Sequence, residues 1–301
     1  MNAMIRRYKV GLVVSMLCIA AFGTESSAQM RDDGAPAAAL GMADSVTGNA
    51  TGTNAMYFNP AGMSRIKQYA VESGYNFTSA LDGHTFTAAA VDSKTNGNLA
   101  MGLGYAYVSS SLSGESRDGN VIRGALSTGH RTKEFSIFAG VGGKYCSLTR
   151  GEEDGDAIVG APDVEYFTLD AGLMAEFAGV FNVGLVGRNL IDSKNVAEAP
   201  RSIGIGVGGQ FEEFSISGDL NVDLQTEQEA VLSYGVGAQI LIQNAVVARF
   251  GYNGGGLSKT NYISGGLSYV SKLMGADVAF RQSVDGDSET MVSLGVKVFL
   301  P

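Results

Sequence analysis

A period of two governs this chain. From about Lys67 to the end, segments of 8 to 15 residues alternate apolar with small or polar side chains. The stretch FSISGDLNVD (214–223) is the clearest. Phe214, Ile216, Leu220 and Val222 fall on one side, and Ser215, Ser217, Asp219, Asn221 and Asp223 on the other. Successive side chains of a β-strand point to opposite faces, so each segment is a strand with one apolar and one polar face. Fourteen such segments follow one another: 67–77, 84–91, 98–108, 121–128, 133–147, 164–176, 180–188, 201–211, 214–223, 230–241, 245–252, 260–270, 274–281 and 289–299. A chain built this way must either bury fourteen apolar faces in a soluble core or turn them toward lipid.

The connections favour lipid. The odd-numbered gaps (78–83, 109–120, 148–163, 189–200, 224–229, 253–259, 282–288) are long or polar, and the even-numbered ones are shorter or equal. Outer-membrane barrels have an even strand number, short turns at one end and longer loops at the other. Strands of about 9–11 residues suffice to cross a bilayer when tilted. A soluble sandwich alternates too, but has no reason to sort its loops by side.

The N-terminus agrees with export. Arg6, Arg7 and Lys9 precede the apolar run VGLVVSMLCIAAF (10–22), and Ser26-Ser27-Ala28 offers a cleavage site before Gln29. This is signal-peptide anatomy, and the run is too short for a helical span. The predicted organisation is a signal peptide over 1–28, an N-terminal hatch or plug over 29–66, and a barrel over 67–301. Without the signal the chain has 18 basic against 29 acidic residues, a formal charge of −11. That balance argues against nucleic acid as a partner, since phosphate binding needs a basic surface. Only Cys146 remains of the two cysteines, so no disulfide framework is expected.

Glycine is abundant, 42 of 301 residues, and it concentrates on the polar faces. Gly102 and Gly104, Gly204, Gly206 and Gly208, and Gly235 and Gly237 alternate with outward apolar residues. Charges of both signs share those inward positions: Glu72, Asp170, Glu176, Asp219, Arg249, Asp277, Arg281 and Lys297. Small residues and mixed charge describe an interior with room for a filler. Segment 29–66, small-residued and without alternation apart from one expected short helix near Ala37–Ala43, is suited to fill it. The outward set (Tyr69, Tyr75, Phe77, Phe167, Phe177, Phe211, Phe250, Tyr252) places aromatics near strand ends, as interfacial girdles require.

Motifs for chemistry are thin. Gly204-Ile205-Gly206-Val207-Gly208-Gly209 matches a dinucleotide pattern on paper, but alternation runs through it to Phe211 where a helix would have to begin. The two histidines, His84 at an outer strand start and His130 in an inner turn, lie at opposite ends and have no metal-ligand spacing around them. No catalytic residue, metal or cofactor is expected. The acids Glu152, Glu153, Asp154 and Asp156, and Asp285, Asp287 and Glu289, lack the ordered spacing of a calcium loop and read as solvated surface.

The most specific motif is AMYFNPAGMSRI (55–66), immediately before the first strand. Asn59-Pro60 starts a turn, Pro60 holds Phe58 extended, and Ala61-Gly62 permits close packing. The motif resembles the signature of the FadL-type outer-membrane transporter family, in which an Asn-Pro-Ala element closes an N-terminal hatch inside a fourteen-stranded barrel. The preceding GNATGTNA (48–55) resembles the family's small-residue run, and Arg65 with Lys67 its basic step into the first strand.

The resemblance implies an all-β, 14-stranded antiparallel transmembrane barrel in a bacterial outer membrane, with its N-terminus periplasmic. It implies passive uptake of a small hydrophobic or amphipathic molecule, gated around Phe58, Asn59, Pro60, Ala61 and Gly62, along a path lined by the glycines, through a barrel with a side opening. Gly102 and Gly104 in the third strand could kink the wall. The longest outer loop, TRGEEDGDAIVGAP (149–162), is acidic, with only Ile158-Val159 apolar. This leaves a second reading. A related set of short barrels similar to PorV, a component of a bacterial secretion system, shares the hatch and strand count and would bind a protein partner at its outer loops. Outer-membrane lipid is expected around the wall in either case.

Overall fold

The computed structural model describes residues 34–112, 115–152, 163–191, 199–227, 229–256, 259–286 and 288–301. The signal-peptide reading of 1–28, and most of loop 149–162 including Ile158-Val159, fall outside them.

Fourteen antiparallel strands close into a barrel. They are β1 (Tyr69–Thr78), β2 (Gly83–Asp92), β3 (Leu99–Leu112), β4 (Glu115–Arg131), β5 (Phe135–Glu152), β6 (Val164–Phe177), β7 (Phe181–Arg188), β8 (Ser202–Gln210), β9 (Phe214–Asp223), β10 (Val231–Ile242), β11 (Val246–Gly255), β12 (Tyr262–Val270), β13 (Met274–Ser283) and β14 (Thr290–Leu300). Each strand pairs with its sequence neighbours, and β1 pairs with β14 to close the ring. Register is unbroken in every ladder, with no bulge. Following partners once round displaces the starting point by a shear equal to the strand number, which tilts the strands by roughly 35–45°.

The two faces separate as the alternation requires. Leu103 and Phe250, both 64 % exposed, stand for an outward belt of large apolar side chains carried by all fourteen strands. A soluble protein has no use for so continuous an apolar surface; contact with hydrocarbon does. At one end Tyr105, Tyr107 and Tyr145 mark where the outward face turns polar. Their hydroxyls donate across strands to Asn120 (2.6 Å), Asp118 (3.4 Å) and Glu165 (2.6 Å).

Two boundaries differ from expectation. The polar gap 109–120 is mostly strand: β3 runs to Leu112 and β4 begins at Glu115, while β5 continues to Glu152. Beyond the tyrosines the outward positions of β3 and β4 are Ser, Asn and Asp; their backbones still pair, and their side chains need no lipid. The β1–β2 and β3–β4 connections are therefore short, and only the later ones at that end are long. His130 lies on the end of β4 opposite Ile137, not in a turn.

The polypeptide from Gly34 to Ile66 lies against inward-facing residues of the wall. It holds α1 (Ala37–Leu40), α2 (Gly52–Phe58) and a 3₁₀ turn over Pro60–Ser64. Only the first approximates the expected helix. GTNAMYF is too short and too poor in helix formers to announce α2, which is held by its surroundings. Gly34 packs against Thr85, Thr87 and Ala106, toward the long-connection end. Ile66 emerges beside Ser93 at the short-turn end.

Candidate functional site

The geometry centres on Asn59, which is fully buried where α2 ends and the 3₁₀ turn begins. Its side-chain oxygen accepts from the Ala61 backbone N–H (3.2 Å), capping the turn. Its amide nitrogen donates to the Thr47 carbonyl (3.3 Å) and to Leu173 of the wall (3.1 Å). One side chain thus ties both halves of the inner segment to β6. Pro60 sits at the first position of the turn, where a missing N–H costs nothing.

Glycines make this approach possible. A Cβ on Gly172 would lie 2.0 Å from Asn59 Oδ1, one on Gly184 2.4 Å from the Thr47 oxygen, and one on Gly140 2.4 Å from the Pro60 carbonyl carbon. These three positions on β5–β7 form a flat seat for Asn59–Ala61. The track continues round the wall. Gly206 faces Gly48, Gly237 and Gly251 face Met42 and Ala43, and Gly266 faces Gly41. Gly62 is needed within the segment itself, because a Cβ there would meet the Ala50 carbonyl oxygen at 2.2 Å. The lining glycines are thus a covered docking surface and not the open path expected of them. Gly102 lies under Met56 and Met63, Gly104 beside Met56 and Tyr57, and neither interrupts the pairing of β3 with β2 and β4.

The same seat is apolar. Met56, Ala61 and Met63 pack with Val91, Phe138 and Met174 in one buried cluster, with Phe58 at its edge. Burying a Met or Phe side chain contributes roughly 1.5–3 kcal/mol. Polar contacts then fix the orientation. Arg188 donates to the Phe58 carbonyl (2.8 Å) and Arg131 to the Ser64 and Arg65 carbonyls (both 2.7 Å). Cations at helix C-terminal carbonyls are favourable. Arg65, expected as part of a basic step into the first strand, is buried. It pairs with Glu176 (2.8 Å) and donates to Gln210 (2.8 Å), while Lys67 stays exposed.

The predicted lining charges all face inward, in separate contacts. Glu72 pairs with Lys297 (3.2 Å) and accepts from Thr53. Asp219 accepts from the Thr47 N–H (2.8 Å). Arg249 pairs with Asp277 (3.3 Å) and donates to Gln239 (3.1 Å). Arg281 pairs with Glu289 (3.3 Å) and approaches Asp44 (3.8 Å). Asp170 accepts from the Asn189 N–H (2.8 Å) at the end of β7. Glu72 and Asp219 thereby bind the inner segment directly, whereas Asp277 and Arg249 satisfy one another on the wall. Arg131, Arg188 and Ser127, whose hydroxyl donates to the Ala61 carbonyl (2.9 Å), also belong to the seat. Sequence reasoning missed them; their inward parity on β4 and β7 was the available signal.

The remaining motifs find plain structural places. The Gly204–Gly209 run lies within β8, paired on both sides. His84 bonds Tyr75 (2.7 Å) at the long-connection end, and His130 lies at the other. Among the described residues no three His, Cys, Asp or Glu side chains are grouped to hold a metal. Asp285 accepts from the Asn261 backbone and side chain (2.6 and 2.5 Å), and these bonds hold its carboxyl below the usual range.

No protein-family description matches the chain, and no curated protein matches its sequence. Solved structures do match its shape. The CymD monoaromatic hydrocarbon channel superposes with a TM-score of 0.66 at 14 % identity, over 90 % of this chain and 98 % of that one. The toluene transporter TbuX of Ralstonia pickettii gives 0.64 at 14 %, over 90 % and 100 %. The toluene transporter TodX of Pseudomonas putida gives 0.60 at 13 %, over 93 % and 99 %. At such identities the likeness is one of fold: a closed fourteen-stranded barrel across nearly the full length of each chain.

Proposed function

We propose that this chain is a FadL-type channel of a bacterial outer membrane, passing a small hydrophobic or amphipathic molecule by passive uptake. Residues 34–66 act as its plug. The observation that carries the reading is the Asn59–Ala61 seat, an apolar and glycine-floored contact that closes the barrel without a covalent tie. Shape neighbours named for toluene and monoaromatic hydrocarbons support the substrate class. The exposed apolar belt supports the membrane, and the short turns are assigned to the periplasmic side. Because every ladder is unbroken, passage is read as axial, and it follows displacement of the segment from this conformation.

The test is entry of toluene into a toluene-degrading cell that lacks its own channel. Expression of this chain should raise the rate of toluene consumption. A folded, surface-assembled barrel that leaves consumption unchanged, both intact and with residues 34–58 deleted, sinks the proposal.

A further inference from the structure

Glu72 on β1 is 4 % exposed, and its two carboxylate oxygens are served unequally. Oε2 pairs with Lys297 on β14 (3.2 Å) and accepts from the Thr53 hydroxyl in the first turn of α2. Oε1 is buried and has no hydrogen-bond partner. A buried acceptor left without a donor is costly, and more so on a charged group. Glu72 lines a cavity of about 10 Å³ between the inner segment and strands β1, β2 and β14. The protein has few donors to give there. Pro36 carries no N–H, Gly74 and Gly295 carry no side chain, and the backbones of β1 and β14 are spent on their ladder. Asn76 is occupied, donating to the Ala35 carbonyl (3.3 Å) and accepting from Ser293. Thr87 on β2 shares the cavity, with its methyl toward Gly34 and its hydroxyl toward Gly74.

We propose that this cavity is a binding site for one water molecule, which donates to Glu72 Oε1 and makes its other hydrogen bonds to the Thr87 hydroxyl and the polar wall beside it. The volume is what a single water needs, and internal waters bridge polar groups that the protein leaves unsatisfied. A neutral ligand suits the site better than a cation, because Lys297 already balances the Glu72 charge. The water completes the carboxylate that holds Thr53, so it is one hydrogen bond removed from α2. It also places a polar seam where Ala35–Ala37 meets β1 and β14, whereas the Asn59–Ala61 seat is apolar and floored by glycine. Gly295 offers a chemical test. A Cβ there would lie 3.7 Å from Glu72 Oε1 and 3.8 Å from the Ala37 Cβ, in ordinary contact. Alanine would take up the space without supplying a donor, and serine brings a hydroxyl within reach of Oε1. The inference concerns how residues 34–66 are held; it goes beyond the transport reading and does not depend on it.

The readout is limited proteolysis within 34–66 of the purified full-length protein, with barrel folding checked by heat-modifiable mobility. Gly295→Ala should speed cleavage about tenfold, and Gly295→Ser should stay within about twofold of the unaltered protein. Equal cleavage of the alanine and serine variants overturns the inference, whether both are slow or both fast. Replacing sodium with choline at fixed ionic strength should leave cleavage of the unaltered protein unchanged; faster cleavage without sodium would put a cation in the site and overturn the assignment to water. A high-resolution crystal structure of the unaltered protein decides the matter without any variant having to fold. It should show one water within about 3.2 Å of Glu72 Oε1, and an empty cavity, or an Oε1 bonded to a protein donor, refutes the site. Toluene entry in cells is read separately, so either reading can fail while the other stands.

Discussion

The seating of the inner segment, residues 34–66, can be tested by pairing Asn59→Ala with Gly172→Ala. Asn59→Ala removes three hydrogen bonds, to Ala61, Thr47 and Leu173. At about 1 kcal/mol each, the loss is about 3 kcal/mol, or roughly two powers of ten in the ratio of seated to displaced segment. Gly172→Ala acts from the other side of the same contact. Its methyl would fall 2.0 Å from Asn59 Oδ1 and 3.1 Å from Pro60 Cδ, an overpacking worth about 1–3 kcal/mol. The worst of that clash disappears when Asn59 is alanine. The double variant should therefore cost less than the two single costs combined, with a coupling of about 1–3 kcal/mol. Gly140→Ala is the control. Its methyl meets the backbone of Pro60 and Ala61 at 2.4 and 2.5 Å, which Asn59→Ala does not relieve, so those two effects should add. The assay is the open fraction in single-channel recordings across planar bilayers, with barrel folding checked by heat-modifiable mobility. Each single variant should raise the open fraction by roughly 10- to 100-fold. Folded single variants as silent as the unaltered protein would refute the reasoning, as would strict additivity of Asn59→Ala with Gly172→Ala.

Arg188→Ala removes a charged donor from the Phe58 carbonyl, worth about 1.5–3 kcal/mol, and should speed limited proteolysis within 34–66 by tenfold or more; unchanged cleavage would show that the arginine does not hold the segment. Phe250→Arg on the outward face of β11 should lower the stability of the barrel folded in lipid vesicles by about 2–4 kcal/mol, as read by denaturant titration, and a loss no larger than that of Phe250→Ala would contradict lipid contact there. Orientation is read by cysteine labelling: Asp285→Cys should react with an impermeant reagent on intact cells, and Lys133→Cys only after the outer membrane is opened. The reverse pattern inverts the barrel.

Much of the wall was legible because strand parity is a local property. Phe214 and Ser215 face opposite ways whatever lies beside them, so each of the fourteen segments, and the inward direction of Glu72, Asp170, Asp219, Arg249, Asp277 and Arg281, follows from counting along the chain. Strand ends were less legible where alternation persists with polar residues on both faces. That is why Ser109–Leu112 and Glu115–Asn120 read as loop and fold as ladder. The Asn59-Pro60-Ala61 motif stood out as a turn with room to pack, but what it packs against did not.

Sequence alone determined the class of structure: a period of two, sustained over fourteen segments, has few ways to satisfy its apolar faces. Only the tertiary structure decided what the inward residues do. Gly140, Gly172 and Gly184 lie on three separate strands and become one flat seat because register and shear bring them level. Arg65 reaches Glu176, and Glu72 reaches Lys297, across intervals of sequence that carry no pairing signal. The cavity beside Glu72 depends on the same register, since a shift of one residue would turn Glu72 or Gly295 outward. Parity is read residue by residue; alignment between strands is set by closure of the whole barrel around its inner segment.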